Sequence, residues 1–96
     1  MLIFIDYKMA NAKLNELIGI ANRVRCEIET MEGIIEELGI FWKSDAQAQY
    51  AMLLNADLYT VEAMLINIKK RAKELAEAIK CFDDVERSVE LMIATL

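Results

Sequence analysis

Few side chains in this 96-residue chain could do chemistry. Two cysteines, Cys26 and Cys81, and the carboxylates Glu27/Glu29, Glu36-Glu37 and Asp83-Asp84 are the candidates, and the chain contains no histidine. Without imidazole, the most versatile general acid/base and metal ligand is missing. Two cysteines this far apart are too few for a zinc site. Paired carboxylates could serve in acid–base catalysis, yet basic residues follow or precede them at helical spacing, as with Arg23 and Glu27 or Asp83 and Arg87. That spacing belongs to solvated ion pairs on a helix surface. No glycine-rich loop or nucleophile elbow is present. The residues therefore predict no enzyme, no cofactor and no metal.

The net charge of −5 argues against nucleic-acid binding, which needs a concentrated basic face. The basic cluster Lys69-Lys70-Arg71 with Lys73 points around a helix rather than to one side, and Glu74 and Glu77 follow at once. It reads as a solvated face, with an anion-binding patch as the alternative. Hydrophobic residues make up 56% of the chain, more than a soluble domain of this size can easily bury alone. A partner chain is the simplest cover. The charged fraction of 28%, and the lack of an uninterrupted apolar run near the ~18 residues of a membrane span, predict no membrane insertion. The start Met1-Leu2-Ile3-Phe4-Ile5-Asp6 lacks the basic lead and small-residue cleavage site of a secretory signal, so export is expected to need another route.

The elements that must carry these residues are helices. There is no proline, and Ile3, Tyr7, Ala10, Leu14, Leu17, Ala21, Val24, Ile28, Met31, Ile35 and Leu38 follow one another in alternating steps of four and three. This is a heptad seam. Gly19 and Gly33 lie off it. A second seam reads Leu54, Leu58, Val61, Leu65, Ile68, Ala72, Leu75, Ile79 and Phe82. After Phe82 the rhythm slips, with Val85, Val89, Met92 and Leu96 shifted around the helix. The slip predicts a tail that leaves the hairpin to contact something else.

The first helix is expected over about 6–38, ending at Gly39 in a left-handed Schellman cap with Ile40 folded back on Ile35. Ser44 begins the second helix, about 45–92, and Gln47 completes a capping box. The turn is then 39–44, short enough to force antiparallel neighbours. In such a hairpin Cys26 lies opposite about residue 58, some 34 Å from Cys81 at 1.5 Å per residue, so no disulfide closes within one chain; an intermolecular bond stays open. Apolar residues beside the seams, among them Ile18, Ile34, Met52, Met64, Ala76 and Ala78, widen each stripe beyond what two helices use. The predicted fold is all-α: one antiparallel two-helix hairpin that pairs into a four-helix bundle dimer.

Ile40-Phe41-Trp42 sets large apolar residues in a connection that ought to face water. They read either as a plug on the bundle end or as a docking anchor. With Trp42-Lys43-Ser44 and Asp45-Ala46 near mid-chain, the sequence resembles the WXG100, or ESAT-6-like, family exported by type VII secretion systems. Those are hairpins of about this length with Trp-x-Gly in the turn; Ser44 stands in place of the glycine. The family's carboxy-terminal Tyr-x-x-x-Asp/Glu has its nearest counterpart in Phe82 and Glu86, with phenylalanine for tyrosine.

The resemblance implies a protein exported without a cleavable signal peptide, either as a substrate or as a helper pairing with a larger effector's helical targeting domain. It also implies an antiparallel dimer, homo- or heteromeric, in which Trp42 of one chain and Phe82/Glu86 of the other form a surface read by the secretion ATPase. The competing expectations are a non-secreted coiled-coil adaptor, in which Trp42 only plugs the bundle end, and an amphipathic hairpin on a membrane surface. An acidic chain without a basic polar face disfavours the last.

Overall fold

The computed structural model describes residues 5–96. Residues 1–4, including the first seam position Ile3, lie outside the described part. Two helices make up the rest: α1, Tyr7–Phe41, and α2, Asp45–Ala94. Each begins on the local chemistry of its cap. The Asp6 carboxylate accepts from the Met9 N–H at 3.0 Å, and the Ser44 hydroxyl accepts from the Gln47 N–H at 3.0 Å. Each bond satisfies one of the amide groups that the first turn leaves without a helical partner.

The end of α1 differs from the sequence expectation. Gly39 is helical, no described glycine has positive φ, and α1 continues through Ile40 and Phe41. Trp42 closes it in extended conformation (φ −132°, ψ 100°), its N–H bonded to the Leu38 carbonyl at 2.8 Å. The connection is therefore residues 42–44, and Ile40 points outward instead of folding onto Ile35. A Cβ at Gly39 would sit at ordinary contact distance, 3.4 Å, from the Gln47 side-chain amide, so neither a left-handed turn nor crowding calls for glycine there. Gln47 is thus drawn toward α1, and the second half of the capping box, a bond from its side chain to the Ser44 N–H, is not formed among the described residues.

The helices pack antiparallel along a narrow line. With position a of the heptad assigned to Leu14 and Leu58, the buried residues are Leu14, Ala21 and Ile28 of α1 and Leu65 and Ala72 of α2, all at a. Leu58 packs beside them. The e positions Ile18, Glu62, Lys69 and Ala76 are half-buried next to this line. Ala21 and Ala72 let the backbones approach, and Ile28, 2% exposed, fills the space between. The hairpin measures 79 × 17 × 17 Å, with a radius of gyration of 22.2 Å. A compact chain of this length would have about 12–13 Å. The phase slip after Phe82 does not break α2, which runs straight to Ala94.

Candidate functional site

The two seams seen in the sequence divide in space. Their a residues, Leu14, Ile28, Ile35, Leu58, Leu65 and Ile79, form or border the contact between the helices. Their d residues do not. Leu17, Val24, Met31, Leu38, Leu54, Val61, Ile68 and Leu75 are between 37% and 53% exposed. At 100° per residue the d and g positions lie roughly 110° around each helix from the a/e contact. On both helices they turn to the same side of the hairpin, where Ile20, Ile34 and Met64 at g extend them. The result is an outer apolar stripe running along both helices.

Two grooves follow this stripe. One, about 300 Å³, is lined by Met31, Ile34, Leu38, Leu54 and Leu58, with Asp57 at its edge. The other, about 290 Å³, is lined by Leu17, Ile68 and Leu75, with Arg71 at its edge. The opposite side of the hairpin is more polar, although Met52, Tyr59 and Ile66 of α2 are exposed on it. There Arg25 and Glu62 form an ion pair between the helices at 3.6 Å, and Glu32, Glu36, Gln47, Asn55 and Tyr59 line a shallow depression. The continuous apolar stripe along both helices belongs to the d and g side, where Asp57 and Arg71 border it.

Magnitude shows how unusual that is. The accessible surface is 8137 Å². A compact 11.0 kDa monomer exposes about 5,600 Å², leaving an excess near 2,500 Å². A standard protein interface covers about 800 Å² per partner. The excess is ample for a large interface.

At the turn, Phe41 is 87% exposed and Trp42 50% exposed, while Lys43 and Ser44 lie on the surface. Trp42 joins Leu38, Tyr50 and Leu54 around a small hollow continuous with the outer stripe. Phe82 and Glu86 sit one helical turn apart, both exposed, near the far end of α2. From residue 44 to residue 82 is roughly 57 Å of helix, so one chain cannot bring Trp42 and Phe82 together. Beyond Phe82, Val85, Val89 and Met92 fall on g and d positions, in line with the outer stripe. From the slip onward the large apolar residues of α2 lie on the outer side, while Asp83 and Glu86 still face Tyr7 of α1.

Sequence reasoning missed Tyr7. Its hydroxyl oxygen is out of reach of solvent and makes no hydrogen bond of regular geometry. Removal from water first, then the facing Glu86 carboxylate and the Asp83 charge, push the phenol up to about 12. These partners are nearly the whole chain apart in sequence, so no local pattern reveals them. Asp83 is also paired with Arg87 at 3.3 Å. Cys26 and Cys81 are both exposed and free. Lys69, Lys70 and Lys73 surround a surface hollow with Ile66, whereas Arg71 is turned to Glu74 at 3.2 Å.

By length and composition α2 is also apolar enough to cross a membrane, with a stretch of mean hydropathy 1.2. The interruption that the sequence reading relied on is only two charges, Asp57 and Glu62, within 51–68. In the hairpin Glu62 is held by Arg25 of α1, and Asp57 borders the outer groove.

This arrangement defines an all-helical hairpin whose helices each present two apolar faces and use one. Comparison with protein-family models finds no match, and neither the curated proteins nor the solved structures yield one.

Proposed function

We propose that this chain is a helix-pairing protein that lays its outer stripe against another two-helix hairpin to complete a four-helix bundle, and that the pair is cargo or helper of a type VII secretion system. The observation that carries the pairing is the second apolar face. In a four-helix bundle each helix meets two neighbours about 90° apart, and every helix here has a second stripe near that angle from the first. A membrane-surface or membrane-spanning helix would instead place its apolar residues without regard to a square. A hairpin lying on a membrane would turn both apolar stripes to one side as well, but it would carry a basic polar face, and this chain has a net charge of −5.

The export reading rests on the Trp42-Lys43-Ser44 turn and the Phe82/Glu86 pair. An antiparallel partner would bring its own carboxy-terminal residues to the exposed Trp42, building from two chains a surface that neither has alone. Deleting the secretion ATPase should abolish appearance of the protein in the culture medium while leaving its cellular level intact. Protein that stays inside the cell in both strains points to the non-secreted adaptor, with the pairing unaffected. Folded Phe82→Ala that is exported as well as the parent would remove Phe82 from the signal.

A further inference from the structure

We infer that the occupant of the outer stripe is a second copy of this chain, packed α1 against the partner's α1 and α2 against the partner's α2, antiparallel, about a two-fold axis passing beside Ile20 and Met64. The inference rests on the pairing reading above and adds the identity of the partner and the register.

The charges along the stripe carry it. The g positions of α1 read Lys13, Ile20, Glu27 and Ile34; those of α2 read Asp57, Met64, Arg71 and Ala78. Each series is antisymmetric: one charge a heptad before the apolar centre, the opposite charge a heptad after. An antiparallel copy centred on Met64 sets Asp57 against the partner's Arg71 and Arg71 against the partner's Asp57. The same operation centred on Ile20 sets Lys13 against the partner's Glu27, and the reverse. The d residues then interdigitate, Leu54 near the partner's Leu75 and Val61 near the partner's Ile68.

One axis serves both helices because the centres share a level. Ala21 and Leu65 pack in one cluster, which holds Ile20 and Met64 within about 3 Å of each other along the bundle at 1.5 Å per residue. Among the described residues, neither Glu27 nor Asp57 has an ion-pair partner within its own chain, while Lys13 and Arg71 rest on Glu16 and Glu74 in exposed i,i+3 pairs that cost little to exchange. Each groove is also lined by one charge of the α2 pair, Asp57 in one and Arg71 in the other. The competing symmetric arrangement, with both turns at one end, lays α1 on the partner's α2. It would oppose Lys13 to the partner's Arg71 and Glu27 to the partner's Asp57, four like-charge contacts per dimer. The pattern therefore favours one arrangement and penalises the other. In the favoured register Phe82 and Val85 reach the level of residues 43–47 of the partner, beside its turn.

The test uses the full chain with Cys26→Ser and Cys81→Ser, purified and mildly oxidised. Adding Met64→Cys should give a disulfide-linked dimer, because the residue meets its own symmetry mate. Leu54→Cys alone should stay unlinked, since its counterpart lies roughly 30 Å away, whereas an equal mixture of Leu54→Cys and Leu75→Cys chains should cross-link. In the native chain Asp57→Arg should raise the dimer dissociation constant roughly tenfold, and Asp57→Arg with Arg71→Asp should restore it. Helicity by circular dichroism, measured alongside, separates loss of pairing from loss of folding. A dimer in which Ile20→Cys links instead to Met64→Cys overturns the register and leaves the pairing function standing. A monomer at sub-millimolar concentration overturns the second copy as occupant, and the function then requires a different hairpin.

Discussion

Tyr7 shows how a single residue reports on the hairpin's open end. It belongs to the first turn of α1, yet its phenol lies against carboxylates of the last turns of α2. Because the folded chain holds the Tyr7 proton more tightly than the ordinary value of 10.0, folding is unaffected by this group at lower pH. Stability is then lost as pH rises from about 10 toward about 12. Tyr7→Phe should flatten that part of a stability-against-pH curve measured by urea unfolding. An unchanged alkaline slope would mean that the contact with Glu86 does not persist in solution. Trp42 illustrates the same scale differently. Its N–H ends α1 by bonding to Leu38, while half of its side chain stays available to a partner.

Among the elements, α1 contains an internal weakness that has no packing reason. Gly33 is helical, sits away from both apolar stripes, and has nothing within 4 Å of the place a Cβ would occupy. Gly33→Ala should therefore stabilise the hairpin by about 0.5–1 kcal/mol, read as a higher urea midpoint, without altering the oligomeric state. A destabilised variant would show that something covers this outward face. Helix pairing itself is set by small residues: Ala21 and Ala72 draw the backbones together at a positions, which rotates the d positions out toward solvent. A bulkier residue at either would push the helices apart and change which stripe faces outward.

For the whole molecule, a core of five buried residues among those described, two of them alanine, is small for a hairpin of two such long helices. On the proposed pairing, covering the outer stripe adds the missing burial and couples folding to assembly. The melting temperature should rise with protein concentration, as mass action requires when assembly stabilises the fold. A Tm constant over a hundredfold range of concentration would show that the hairpin stands alone.

The amino-acid sequence by itself determined the two helices, the antiparallel hairpin and the start of α2, because these depend on local spacing and on one side chain, Ser44, bonding an amide three residues away. It also showed more apolar surface than two helices consume. The end of α1 was not legible, since a glycine near a helix terminus can serve backbone freedom or closeness. In the structure Gly39 is required for neither: it stays helical, and the Gln47 amide lies at ordinary contact distance from the place of its Cβ. Nor could spacing alone divide the a from the d positions. Both repeat every seven residues, and which faces its own chain depends on the rotation of one helix against the other. The tertiary structure set that rotation through the close approach at Ala21 and Ala72, and so turned one uniform seam into an inner contact and an outer surface.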